Sequence, residues 1–287
     1  MLSCEKESFF THISPFDDIN ETVTNIFGGM VLNRQEIFKI GAQLLFFLLL
    51  FPALFIIPVG NRFESAQTLS DQQEMTVPVF SVETEKKAVA LTFDAAWEGE
   101  EIPRLLKILE DADVKATFFV VGDYVKENPE VMKAIAKAGH EIANHSDAHP
   151  HVCSLSEEEI QKDLFACEKR LRELGIKILP YYRAPYGEFD THVVQAVANA
   201  GYLYVQWSVD SLDWKGPSAE EMTNRVLKRT TSGDILLFHT GKENTLEALP
   251  GILLGLKQMG LEILPVGSLL LPEPFRIDHA GRMFPAA

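Results

Sequence analysis

The chain of 287 residues has few cysteines, few positive charges and no phosphate-binding glycine motif. Its three cysteines form no CxxC pair, which argues against a disulfide scaffold or a cysteine-rich zinc site. A disulfide between Cys153 and Cys167 stays open. Lysine and arginine number 26 against 41 acidic residues, a formal net charge of −15 that argues against a nucleic-acid partner. No GxGxxG follows the first predicted strand, so a dinucleotide-binding domain has no support.

The sequence does contain one long apolar run near its start. Residues 40–60 (IGAQLLFFLLLFPALFIIPVG) carry no charge, and about 20 apolar residues suffice for a helix to cross a bilayer. Two basic residues precede the run and one follows closely, which favours a cytoplasmic N-terminus. We therefore predict a transmembrane anchor in the cell membrane, single-pass, with the rest of the chain extracytoplasmic. Residues 1–39 form a leader, and translation could begin at Met1 or at Met30.

After a polar linker at residues 61–85, strand-like and helix-like segments alternate through residues 86–272. Seven apolar strand patterns alternate with six helical stretches, of which five are followed by glycine, a common helix terminator. Two helical stretches begin with capping-box spacing, at Ser156 and Ser218. This alternation predicts a parallel α/β sheet covered on both faces. Residues 273–287 form a tail without a recognisable motif.

The polar residues favour a barrel over an open doubly wound sheet. In a parallel barrel, functional side chains collect at the carboxyl ends of the strands. Five predicted strands end in an ionisable or metal-binding residue: Asp94, His145, Arg183, Asp210 and His239. We therefore predict a distorted, incomplete (β/α) barrel with about seven parallel strands.

Two strand-end motifs offer a metal site and an anion clamp. His145 and His149 in NHSDAH lie four residues apart, a spacing that lets two imidazoles reach one ion. Arg183 in RAPYG can hold a carboxylate bidentately, and the backbone N–H of Tyr186 can stabilise an oxyanion. Chance surface histidines and a structural ion pair are the competing interpretations.

WSVDSLDW and LLFHTG supply an acid–base pair. Asp213 can orient His239, which is either a general acid or a satisfied core histidine. Asp210 can instead cap the following turn, and Trp214 is either core or a flat wall for a sugar. With Asp94, these residues predict a hydrolysis site in which a cation polarises a carbonyl and a water. Asp94 then takes the proton of the water, and His239 protonates the leaving amine.

The ordered motifs TFDAAW, NHSDAH, RAPYG, DSLDW and LLFH resemble those of the polysaccharide deacetylases with a NodB-homology domain, carbohydrate esterase family four. The resemblance covers residues 87–271, and the wording of its motifs is similar to the sporulation-associated group of spore-forming Firmicutes. It implies a metal-dependent hydrolase that removes N-acetyl groups from amino sugars. The implied substrate is a cell-wall or spore polysaccharide similar to peptidoglycan.

By motif position, the resemblance also implies residue roles. It assigns the acid–base chemistry to four residues: Asp94 as base, Arg183 paired with it, His239 as acid and Asp213 beside the acid. It places a divalent metal, usually zinc in the family, on His145 and His149. Tyr186 and Trp214 would contact the substrate.

The chain departs from the family at Ala95, where the first motif usually has a metal-binding aspartate. The two remaining ligands are fewer than the three that catalytic zinc sites usually keep. Three outcomes are open. Water or another side chain (Glu98, His151 or Cys153) completes a weaker site, the metal binds only together with substrate, or turnover is lost and glycan binding remains.

We expect an active N-deacetylase, because the four acid–base positions are retained. The alternative is a catalytically weakened or inactive glycan-binding protein on a deacetylase scaffold. An esterase that acts on O-acetyl groups with the same residues is a third interpretation.

Overall fold

The computed structural model describes residues 77–96 and 99–286, whose centre is a curled parallel β-sheet. Its strands are β1 Ser81–Val82, β2 Ala88–Ala95, β3 Thr117–Val120, β4 Glu141–Asn144, β5 Tyr181–Tyr182, β6 Leu203–Tyr204, β7 Val209–Asp210, β8 Ile235–His239, β9 Glu262–Leu264, β10 Phe275–Ile277 and β11 Arg282–Pro285. Its helices are α1 Ile102–Asp111, α2 Gly122–Glu127, α3 Pro129–Lys137, α4 Glu157–Glu173, α5 Thr191–Asn199, α6 Ala219–Arg229, α7 Glu243–Gln258 and α8 Val266–Leu269.

Eight strands form one sheet in the order β6-β5-β4-β3-β2-β8-β7, with β9 paired to the first residues of β2. All of these pairings are parallel. Asp94 of β2 is level with Phe119 of β3 and with His239 of β8. The predicted incomplete (β/α) barrel is therefore confirmed, and the polar strand ends share one rim.

The burial of β2 explains why its sequence reads as a continuous apolar run. All eight of its residues are buried, as expected for a parallel strand with both faces covered. Val89, Leu91 and Phe93 pack in the large cluster that includes helix residues. Ala88 and Ala90 belong to a second cluster on the other face, built mainly from other strands. The small alanines suit the narrow interior of the barrel.

The predicted fifth strand, LYVQWSVD, is where the structure differs from the prediction. It forms two short strands, β6 beside β5 and β7 beside β8, which lie at opposite ends of the sheet. The residues between them therefore cross the open side of the barrel. Val205 and Gln206 in this crossing accept hydrogen bonds on their carbonyls from the buried Arg183 side chain (3.3 and 3.0 Å). The backbone of the same residues is also paired, because the N–H of Val205 donates to the carbonyl of Tyr182 (2.8 Å) and the N–H of Gln206 to that of Val79 (2.7 Å).

A second, three-stranded sheet joins the two ends of the described chain. β1 pairs parallel with β11, which pairs antiparallel with β10. β1 lies within the predicted linker, and β10 and β11 lie within the predicted tail. Strands of two to four residues leave too short an alternation pattern to be recognised in a sequence. The predicted domain limits stay predictions.

Two local predictions are settled by side-chain contacts. Ser156 forms a reciprocal capping box at the start of α4, and Ser218 forms one at the start of α6, which confirms the predicted helix starts.

The thiol of Cys167 is buried and donates to the carbonyl of Val120 (3.3 Å). The disulfide that the sequence left open between Cys153 and Cys167 is therefore not formed.

The prediction of a single-pass membrane protein is contradicted. No helix within residues 77–96 and 99–286 is long and apolar enough to cross a membrane. The longest helix in these ranges, α4, has 17 residues and an acidic first turn, whereas a span needs about 20 predominantly apolar residues. The predicted anchor at residues 40–60 and the leader at residues 1–39 lie outside the described residues.

Two glycines with positive φ provide a test of backbone packing. Gly175 has φ +72°, and a Cβ added there would have no described atom within 4 Å apart from its chain neighbours. Gly233 has φ +89°, and a Cβ added there would lie 1.9 Å from the carbonyl oxygen of Val82. We expect Gly175→Ala to lower the free energy of unfolding by about 1–2 kcal/mol, the cost of a left-handed L-residue. Gly233→Ala should lower it by more, because β1 must also move. Urea denaturation measures both; equal losses would contradict the clash.

Candidate active site

A fully buried arginine forms the floor of the site. Arg183 follows β5, and its Nη1 donates to Asp94 Oδ1 (2.7 Å) and to Thr92 Oγ1 (3.0 Å). Its Nη2 and Nε donate to the carbonyls of Gln206 and Val205. The guanidinium is thus bound by the end of β2 on one side and by the crossing segment on the other. An arginine suits this position because its planar group presents several donors in fixed directions.

Asp94 is held as a carboxylate. Burial by itself raises its pKa, but the charges of Arg183, His145 and His239 outweigh burial, and the pKa of Asp94 lies below its ordinary value of 3.8. The second oxygen, Oδ2, lies 3.6 Å from His145 Nε2. Asp94 therefore has one oxygen fixed by the arginine and a second that faces a histidine. An ionised carboxylate in this setting can accept a proton.

The two histidines of NHSDAH lie beside Asp94. His145 follows β4 and is buried, and its Nδ1 donates to the carbonyl of Arg183 (2.8 Å), because a carbonyl only accepts. Its Nε2 therefore carries a lone pair. The ring of His149 lies 5.1 Å from that of His145, centre to centre. Burial lowers the pKa of both histidines, that of His149 to about 4. Both imidazoles are neutral at neutral pH, the form that binds metals.

The loop that carries these histidines is fixed by a residue that the sequence analysis missed. Asp163 of α4 accepts hydrogen bonds from the backbone N–H groups of Asp147 (2.9 Å) and Ala148 (3.2 Å). The backbone N–H of His149 donates to Ser146 Oγ (2.8 Å). No sequence pattern marks Asp163, because it acts from a helix 15 or 16 residues further along the chain.

On the opposite side of Asp94, a second pair joins His239 and Asp213. His239 ends β8, and its Nδ1 lies 2.7 Å from Asp213 Oδ1. Asp213 Oδ2 also accepts from the backbone N–H of His239 (2.7 Å) and from Thr245 Oγ1 (2.8 Å). Burial by itself lowers the pKa of His239, but the hydrogen bond and charge of Asp213 outweigh it and hold this pKa above 6.5. A histidine that is partly protonated near neutral pH suits a general acid.

The remaining candidate residues lie at the surface. Tyr186 is 59% exposed and Trp214 is 55% exposed, so Trp214 is not a core residue. Tyr186 has φ +60°, and its ring stacks on His151 at 4.3 Å between ring centres. Asp210 accepts from the backbone N–H of Leu212 (2.8 Å). Asp210 therefore shapes the turn, which was the alternative considered for it.

The donor set does not fit a resident catalytic zinc. Within residues 77–96 and 99–286, no group of three or more His, Cys, Asp or Glu side chains is arranged to hold a metal ion. Ala95 is fully buried in an apolar cluster, and His151 Nδ1 lies 2.6 Å from Glu188. Glu98 lies outside the described residues. Catalytic zinc sites usually keep three protein ligands, so the assignment of zinc to His145 and His149 stays a prediction.

The chain is similar to known proteins over most of the described residues. A family model described as polysaccharide deacetylase matches residues 81–205. A peptidoglycan-N-acetylglucosamine deacetylase of Bacillus cereus is 34% identical over 194 residues, 66% of this chain and 70% of that protein. The peptidoglycan-N-acetylmuramic acid deacetylase PdaA of Bacillus subtilis is 31% identical over 198 residues, 68% of this chain and 75% of that protein.

Among solved structures, the fold is similar to that of a carbohydrate esterase family 4 pseudoenzyme from Bacillus anthracis. The TM-score is 0.66 at 34% identity, over 70% of this chain and 70% of that chain. A mutant of the same pseudoenzyme, described as having restored enzymatic activity, matches with the same TM-score at 35% identity, over 70% of this chain and 73% of that chain.

The contact between Asp213 and His239 predicts the titration of the histidine. Asp213→Asn removes the negative charge but keeps the side-chain shape, so the pKa of His239 should fall towards the value that burial and the charges of Asp94 and Asp210 set. His239 would then lose its proton at a lower pH than in the wild type. An NMR titration of the His239 ring measures this shift. Asp210→Asn, whose carboxylate bonds a backbone N–H instead of the ring, should shift it less; equal shifts would contradict a direct contact.

Proposed function

The chain belongs to the polysaccharide deacetylase family, and we propose that it hydrolyses N-acetyl groups on amino sugars of a polysaccharide similar to peptidoglycan. The observation that carries this proposal is the pairing of Asp94 and His239 on adjacent strands, with their pKa values moved in opposite directions. When the pKa of one group is lowered and that of its neighbour is raised, the first can act as the base and the second as the acid at the same pH. Similar proteins named as peptidoglycan deacetylases support the substrate class, and a link to sporulation stays a prediction.

In the proposed reaction, water adds to the acetyl carbonyl carbon and the C–N bond breaks. Asp94 takes a proton from the attacking water, and Arg183 keeps the carboxylate ionised and in place. His239 gives a proton to the departing nitrogen from Nε2, because Asp213 occupies Nδ1. The products are acetate and a free amino group on the sugar. Each proton transfer contributes about 10²–10⁴-fold to such a reaction.

Two exposed aromatic residues support a glycan as the substrate. The side chains of Tyr186 and Trp214 are both more than half exposed, and aromatic rings suit the flat faces of sugar rings. The left-handed backbone at Tyr186 also sets the direction of its N–H group, and we assign this group to the oxyanion of the tetrahedral intermediate. Such donors typically contribute about 3–4 kcal/mol to catalysis.

A second candidate is glycan binding without turnover. Ala95 leaves the two histidines one ligand short of a catalytic zinc site, and the similar structure from Bacillus anthracis is described as a pseudoenzyme. A divalent cation, predicted to be zinc on His145 and His149, is given no step in the proposed reaction, because these two residues alone do not fit a resident catalytic zinc. Acetate release distinguishes the two candidates, because a binding protein would take up glycan without producing acetate.

We expect acetate release from N-acetylated glycan oligomers or peptidoglycan, and Asp94→Asn should reduce it by at least about 100-fold because the base is lost. Acetate is measured enzymatically, with zinc added in one series and a chelator in another. Asp111→Asn, an exposed substitution on α1, serves as the control. Since Asp94→Asn also leaves Arg183 without its counter-ion, its thermal unfolding is recorded to show that the fold persists. A folded Asp94→Asn protein with full activity would exclude Asp94 as the base.

Ala95→Asp tests the missing ligand. If the strand end can turn the new carboxylate towards His145 and His149, zinc affinity should rise by at least tenfold, since a third anionic ligand completes the usual set. Competition with a fluorescent chelator measures this affinity. Ala96→Asp places the same charge one residue further on and should leave the affinity unchanged. An Ala95→Asp protein with unaltered zinc affinity would show that this strand end does not reach the histidines.

A further inference from the structure

A cavity opens beside the candidate active site, at the same rim of the barrel. Its volume is about 1050 Å³, and its lining includes Ala96 and Gly241. Ala96 lies two residues after Asp94, and Gly241 lies two residues after His239. The cavity therefore begins on the two loops that leave the proposed base and acid. A glycan whose acetamido group lies at Asp94 and His239 has this cavity as a neighbouring space.

The cavity is strongly acidic. Its charged lining consists of Glu100, Glu101, Glu127, Glu243 and Arg104, four carboxylates against one guanidinium. Arg104 is neutralised by a two-pronged ion pair with Glu243 (2.7 and 2.8 Å). Glu101 is held at the inner side by the backbone N–H of Gly241, which donates to its Oε1 (2.5 Å). The remaining negative charge favours a cationic ligand.

A buried hydroxyl without a partner points to a ligand that forms hydrogen bonds. Tyr124 lines the cavity and is 2% exposed, and its hydroxyl has no hydrogen-bond partner among the described residues. It lies close to the backbone of Gly99, where a Cβ would be 2.8 Å away. A glycine at that position leaves the hydroxyl next to the cavity. A buried polar group without a hydrogen-bond partner is destabilising, and a ligand hydroxyl group would remove that cost.

The carboxylates do not converge as metal ligands do. No group of three among the acidic, histidine and cysteine side chains of residues 77–96 and 99–286 could hold a metal ion. A larger cation that carries hydroxyl groups fits the dispersed charges and the single phenol better. An amino sugar with a free ammonium group has both features.

We propose that this acidic cavity binds a de-N-acetylated amino sugar. A partly deacetylated, cationic glycan is then the preferred ligand of the candidate active site at Asp94 and His239. This inference rests on the proposed function, whose reaction produces such a sugar. A sugar deacetylated in one event would occupy the cavity while the next acetamido group lies at Asp94 and His239. The cavity would thereby favour successive deacetylation along one chain.

Calorimetric titration of the full chain tests this inference without requiring turnover. The probes are a tetramer of glucosamine and the matching tetramer of N-acetylglucosamine. We expect the charged tetramer to bind at least tenfold more tightly at low salt, and the difference to shrink at high salt because ions screen it. Glu101→Gln with Glu127→Gln should abolish the difference. Glu110→Gln, on the outer part of α1, should preserve it. Tyr124→Phe should weaken binding of the charged tetramer while leaving the fold intact.

The failure of this inference is distinct from failure of the proposed function. Equal affinities for the two tetramers would overturn the cavity assignment even if acetate is released. Selective, carboxylate-dependent binding without acetate release would support the cavity and disprove turnover. Calcium binding that disappears in Glu101→Gln with Glu127→Gln, without binding of the charged tetramer, would assign the cavity to a metal ion. Equally tight binding of trilysine would assign it to basic peptides. Either result would overturn the inference.

Discussion

The buried contact between Arg183 and Asp94 is the interaction on which the rest of the structure depends. Arg183 lies 3.9 Å above the ring centre of Phe119 and bonds the end of β2 on one side. On its other side it bonds the crossing segment at Val205 and Gln206. The end strands β6 and β7 leave one side of the sheet open, and the guanidinium ties the crossing segment to β2 there, alongside a backbone bridge between Val79 and Val205. The same contact keeps the proposed base ionised and oriented.

The site divides into a part that is complete and a part that is reduced. The acid–base part has every side chain in contact with a partner, from the arginine under Asp94 to Thr245 behind Asp213. The predicted cation site has two histidines with lowered pKa on a well-anchored loop, and the buried Ala95 stands where the family resemblance places a third ligand. Loss of one anionic ligand lowers affinity for a cation without disturbing the loop, because the loop is held by Asp163. The fold of the loop therefore does not depend on a bound cation.

Much of this arrangement could be predicted from the sequence, for identifiable physical reasons. The strands of a parallel barrel are buried on both faces, so β2, β3 and β8 appear as apolar runs that end in a polar residue. The pairing of Asp94 with Arg183 was implied by the family resemblance, and that of His239 with Asp213 was also expected from the chemistry of a carboxylate near an imidazole. The split of LYVQWSVD into β6 and β7 was not predictable, because the residues between them are held by tertiary contacts with Arg183 and Val79, which are distant in the sequence. Asp163, Thr92 and Thr245 were missed for the same reason, since each acts through a tertiary hydrogen bond that leaves no spacing pattern in the sequence. The acidic cavity also has no motif, since its residues come from the α1 region, α2 and the start of α7.

The structure also changes what the retained residues can be taken to mean. Retention of Asp94 and Arg183 is weak support for turnover, because removal of one partner of a buried ion pair typically costs about 3–5 kcal/mol. An inactive protein would keep this pair for its fold. His239 is different, because its ring lies at the rim and its pKa is held above the ordinary value. Asp213 could fix the turn through the backbone N–H of His239 alone. The raised pKa of the His239 ring contributes nothing to that turn, so the contact between this ring and Asp213 is the better argument for a working acid.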